Sequence, residues 1–180
     1  MIPHYGVTEE QRIELYKIAV AHSDVGEALV AVRLFMNTVK DMQDTNYLPL
    51  QDSIVIAYGR AFTRNKPYGK LDKSWSQFNI KEHKEMHDKL LDTRHKLVAH
   101  SDIDYRKVQI VPDGYSPSKN IPPSKGLAIT VSSKKFSLSA FPVIEAVCLD
   151  VGGRLQQEMF DKLDQYYGSI KLPKTSFDLL

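Results

Sequence analysis

Val25, Ala28, Leu29, Val32, Phe35, Met36 and Val39 form one stripe at about 100° per residue, the signature of a core-facing helix. Upstream, Thr8-Glu9-Glu10-Gln11 has the spacing of a capping box and opens a helix to about Ala21. Ser23 or Asp24 is placed to cap the second helix, the one carrying the stripe. A third helix is expected from about Leu50 to Phe62, stopped by the breaker cluster Asn65-Lys66-Pro67-Tyr68-Gly69. The fourth runs from about Asn79 to His100, and the fifth from Pro142 to about Tyr167, with the proline suited to a first turn. Val143, Ile144, Val147, Val151, Leu155, Met159, Leu163 and Tyr166 hold helical spacing along the fifth, and Gly152-Gly153 weakens its middle.

Between the last two helices the period changes from helical to alternating. Val108 to Val111 is β-favouring; Leu127, Ile129 and Val131 alternate with Ala128, Thr130 and Ser132; Phe136 and Leu138 alternate with serines. Pro112-Asp113-Gly114 and residues 116–126 have loop composition. The expectation is a mainly all-α chain: one domain over residues 1–180, a bundle of about five helices. A small antiparallel β insert of two or three strands, at about residues 106–140, lies between the last two helices.

Composition narrows the class without naming a function. The chain has 180 residues, 42% hydrophobic and 26% charged, as expected of a globular domain large enough to bury a core. A single cysteine, Cys148, excludes an internal disulfide and fits a reducing, cytoplasmic setting. No apolar run approaches the ~20 residues of a membrane span, and Met1 to Gln11 lacks the layout of a signal peptide. A net charge of +2 means that any nucleic-acid footprint must be a local patch.

The fourth helix carries the unusual chemistry. With Met86 at zero on a helical wheel, Leu97, Leu90, Val98, Ile80 and Leu91 fall between roughly 20° and 140°. His83, Arg94 and His87 fall at roughly 60°, 80° and 100°, in the middle of that apolar arc. An unpaired buried guanidinium costs several kcal/mol. The arc must therefore meet a core carboxylate, such as Glu27, Asp52 or Glu145, or else a polar cleft or a second subunit. His100 lies about 120° from Arg94 on the ideal wheel, so one regular helix does not stack the two.

Arg94-His95-Lys96-Leu97-Val98-Ala99-His100 places a polar residue after the arginine and a histidine six positions beyond it. This resembles the motif of the HEPN superfamily, an arginine and a histidine with four to six residues between them, near the end of a helix in a small bundle. The context is similar too: long helices precede it, a helix follows, and Ile54 to Arg60 lies in an earlier core helix. The resemblance implies a metal-independent endoribonuclease, a toxin or phage-defence component acting as a homodimer on RNA with two motifs facing one cleft. In that chemistry the 2′-hydroxyl attacks. A histidine moves the proton and an arginine neutralises charge on the transition state. Carried over, His100 is the acid/base, Arg94 the phosphate clamp, and His95 an orienting or second proton-transfer group. His87, which no family rule requires, and Ser101 and Asp102 are the expected substrate-binding residues of the cleft. No metal or other cofactor is called for. The alternative the resemblance allows is a non-catalytic helical module binding a nucleotide or a protein partner. Some members carry a tyrosine two residues after the histidine for modification by a partner antitoxin; here that position is Asp102 and the nearest tyrosine is Tyr105.

Two weaker patterns remain. His83 and His87 have the i, i+4 spacing of a zinc pair, but lysine stands where a metalloprotease helix has glutamate. Arg60, Arg64, Lys66, Lys70 and Lys73, with Tyr68, Trp75 and Phe78 among them, read either as a basic aromatic surface for RNA or as a solvated loop with core aromatics.

Overall fold

The computed structural model describes residues 5–63, 69–98, 105–116, 122–172 and 174–180. Among these lie four α-helices, α1 (Glu9–Thr38), α2 (Tyr47–Phe62), α3 (Lys81–Val98) and α4 (Ala140–Tyr167), and a two-stranded antiparallel hairpin, β1 (Arg106–Val111) with β2 (Ala128–Ser133). A 3₁₀ turn at Lys73–Ser76 precedes α3. Packing runs α3–α2–α1–α4 and closes from α4 back to α3, a four-membered ring of helices around one core. The fold is thus mainly α with a small sheet, as expected, but with four helices rather than five.

The missing boundary is at Ser23-Asp24. The capping box at Thr8 forms as expected, with Gln11 N–H on the Thr8 hydroxyl at 3.3 Å and Thr8 N–H on Gln11 Oε1 at 2.9 Å. The helix it opens does not stop at Ala21, because Asp24 is not spent on a cap. Its carboxylate is buried and ion-paired with Arg60 Nε at 2.8 Å. A cap needs a free side-chain oxygen beside the backbone N–H groups; with Asp24 turned to α2, the helix runs on for 30 residues. Burial pushes the Asp24 carboxyl above its usual range, and the Arg60 charge opposes that shift.

The expected alternation at Phe136–Leu138 is not a third strand. Phe136 N–H donates to the Gln51 side chain at 2.8 Å and Ala140 N–H to Ser137 O at 3.0 Å, so these backbone groups serve α2 and the turn into α4. Pro142 sits in the first turn of α4, and α4 stays helical through Gly152-Gly153. The core centre is aromatic. Phe35 stacks on Phe141 with ring centroids 3.5 Å apart, and Tyr47 meets Phe35 edge-on at 4.9 Å. No helix among the described residues is long and apolar enough to cross a membrane.

Candidate functional site

The inward line of α3 is His83, His87, Leu90, Arg94 and Leu97, one side chain per turn against α2 and α4. Ile80 and Val98, both assigned to the apolar arc by the wheel, are instead half-exposed at the helix ends. The polar members of the line are each answered within the chain or held by it. His83 Nδ1 lies 3.0 Å from Asp150 Oδ2, and Arg154 holds the other oxygen of that carboxylate at 2.9 Å.

His87 is 1% exposed, with Nδ1 2.7 Å from the Tyr58 hydroxyl and the rings of Phe62 and Phe78 against it. It is a core histidine and does not line a cleft, contrary to its expected substrate-binding role. Helical periodicity alone does not distinguish a polar residue facing a cleft from one hydrogen-bonded in the core. Its Nδ1 and that of His83 are turned to different partners, the Tyr58 hydroxyl and the Asp150 carboxylate.

Burial pushes the His87 pKa down to about 4. The free imidazole titrates near 6.5, so as pH falls the unfolded chain takes up this proton first. Stability from a neutral His87 is whole above about pH 6.5 and is lost progressively as pH falls toward 4, by roughly 3 kcal/mol in all. Denaturant midpoints measured from pH 7 to pH 4 should fall along this window. In His87→Phe that part of the slope should disappear.

Arg94 sits one turn from the end of α3, half-buried. Its aliphatic stem lies directly on Gly59 of α2, so close that a β-carbon there would overlap Arg94 Cδ. Only glycine permits this approach. Three carboxylates could have neutralised Arg94 in the core, and all three are otherwise engaged. Glu27 pairs with Arg60, Asp52 accepts from the Tyr105 hydroxyl at 2.8 Å, and Glu145 accepts from Arg33 at 2.7 Å. Among the described residues the buried Arg94 Nε–H has no hydrogen-bond partner and the guanidinium no ion pair, so packing on Gly59 positions this cation. His95 is exposed and about 100° around the helix from Arg94, so α3 does not bring the two together. His100, Ser101 and Asp102 lie outside the described residues.

A groove runs along the other flank of α3, between that helix and the root of the hairpin. Lys89, Thr93 and Lys96 form one wall; Tyr105, Lys107, Lys134 and Lys135 form the other. Its wider section, between Lys96 and the hairpin, has a volume of about 480 Å³. The hairpin root is pinned to α2. Tyr105 donates to Asp52, Gln51 Nε2 donates to Lys134 O at 3.0 Å, and Tyr47 donates to Phe136 O. Burial, opposed by the Tyr105 bond, raises the Asp52 carboxyl. Against five lysines the groove has one lining carboxylate, Asp92, which pairs with Lys96 at 2.7 Å. This basic groove was not assigned from the sequence, where only the Lys134-Lys135 doublet hints at it. Of the basic aromatic loop, Arg60 is paired with Asp24 and Glu27, and Trp75 and Phe78 lie beneath Arg154; Arg64, Lys66 and Tyr68 lie outside the described residues.

Searches against protein-family models, curated proteins and solved structures found no match to the chain.

Proposed function

We propose that this chain is a metal-independent endoribonuclease of HEPN type, with Arg94 as the cation that stabilises the transition state and His100 as the acid/base. The observation that carries the reading is the Arg94 guanidinium, set near the end of α3 on a glycine shelf and without an ion pair among the described residues. A core arginine kept for stability pairs with a carboxylate; Arg94 has no such pair among the described residues and is only half-buried, which supports a head group kept for a phosphate. The lysine groove on the same helix supports a polyanionic substrate, because RNA binding draws mainly on contacts to phosphates. His95, exposed beside Arg94 in sequence, is the second proton-transfer group in this reading.

The HEPN resemblance also implies two motifs sharing one cleft between subunits. The inward face of α3 is filled within the chain, so the groove that supports the reading here is formed by a single chain. Because the nucleophile is the substrate's own 2′-hydroxyl, cleavage needs no metal. Purified protein incubated with total RNA in excess EDTA should cut RNA and spare DNA of the same sequence. Cleavage abolished by EDTA and restored by a divalent ion would refute the mechanism. A protein that cuts no RNA offered would instead be a non-catalytic module binding a nucleotide or a protein partner, possibilities that the same groove serves.

A further inference from the structure

The hairpin has two faces of opposite character. Its register, Val108 opposite Val131 and Ile110 opposite Ile129, gathers four β-branched side chains on one face, with Leu127 following on beyond Ile129. These five residues are 63–81% exposed. The other face carries Lys107, Gln109, Thr130 and Ser132, and its root turns to the lysine groove. A two-stranded hairpin standing alone in water is marginal at best, and a contiguous apolar patch of this kind marks an interaction site.

We propose that this face is the contact between two copies of the chain, stacked hairpin on hairpin about a two-fold axis. The face complements itself. A two-fold axis across the strands at Gln109 and Thr130 sets Val108 and Val131 of each copy over Ile110 and Ile129 of the other, β-branched side chain on β-branched side chain. The five side chains expose roughly 600 Å² per copy, so a pair buries about 1,200 Å², where specific interfaces begin. Charge sets the direction. Arg106 lies on the apolar face at the root, and Asp113 lies at the tip, where its side chain accepts from Gly126 N–H at 2.7 Å. Hairpins stacked in opposite directions bring Arg106 of each copy over Asp113 of the other, whereas stacking in the same direction sets Arg106 against Arg106. The opposed arrangement keeps the two α3 helices at opposite ends of the stack. It is therefore distinct from a shared-cleft dimer and stands whether or not the chain cuts RNA.

Light scattering at micromolar concentration reads this directly. Wild type should have twice the 20.5 kDa chain mass. Ile110→Lys with Ile129→Lys should have the single-chain mass with an unchanged helical circular dichroism spectrum, since neither residue enters the core. Val30→Lys with Leu34→Lys, on another exposed apolar site in α1, should stay paired. Arg106→Glu should weaken pairing severalfold by facing Asp113 with a like charge. A monomeric wild type, a hairpin variant that still pairs, an α1 variant that falls apart, or assemblies larger than two would each overturn the proposal. An Arg106→Glu protein that pairs as tightly as wild type would overturn the opposed arrangement.

Discussion

Replacing Arg94 or His100 with alanine is expected to slow RNA cleavage by about 10²–10⁴-fold while leaving the fold intact. For Arg94 the argument is structural. Its head group forms no ion pair among the described residues, and its stem and Nε pack on Gly59. Removing the head therefore takes away a positioned donor for a phosphate oxygen without stranding a core carboxylate. That separates it from Arg60, whose loss would leave the buried Asp24 unpaired and cost stability. For His100 the argument is chemical, since imidazole is the side chain whose ordinary titration spans neutral pH. His95→Ala should cost less, because His95 is exposed and directed away from Arg94. Initial rates on one RNA, compared at equal melting temperature, check all three. Equal rates for wild type, Arg94→Ala and His100→Ala would remove both residues from the mechanism.

Gly59→Ala is expected to change the sign of its effect with the residue at position 94. In the wild type the added methyl overlaps Arg94 Cδ, so either the arginine or the α2–α3 spacing must move. Overpacking of this kind costs about 1–3 kcal/mol, and displacing the guanidinium should lower cleavage much as Arg94→Ala does. In an Arg94→Ala background the obstacle is gone. There Gly59→Ala should stabilise by about 0.5–1 kcal/mol, since glycine within a helix is disfavoured against alanine. Urea midpoints of the four proteins give the coupling between the two positions. Destabilisation of equal size in both backgrounds would mean that the glycine serves something other than the arginine.

Much of the fold is legible in the sequence wherever one local signal dominates. The Thr8 box and the stripe from Val25 to Val39 become helix as expected, though one helix rather than two, and the alternation around Ile129 becomes a strand. The errors have a common cause, a polar group whose partner is distant in sequence. Ser23-Asp24 reads as a cap until Arg60 is seen across the bundle, 36 positions away, taking the carboxylate. Phe136 reads as a strand residue until Gln51 takes its N–H. At the candidate site the wheel places Arg94 and His87 correctly on the inward face, but only packing shows that one rests on Gly59 and the other is closed in by Tyr58. The lysine groove joins residues from α3 with others near the hairpin root, and no single stretch of sequence contains it.

The nature of the new RNA ends tests the proposed chemistry most directly. Attack by the adjacent 2′-hydroxyl, with Arg94 and His100 as the principal catalytic groups, leaves a 2′,3′-cyclic phosphate on one fragment and a 5′-hydroxyl on the other. Mass spectrometry of a short RNA cut by the wild-type protein in EDTA should show that pair of termini, and a substrate with 2′-deoxyribose at the cleaved position should stay whole. A 3′-hydroxyl with a 5′-phosphate, or cleavage of the 2′-deoxy substrate, would mean that water attacks the phosphate and would contradict the mechanism.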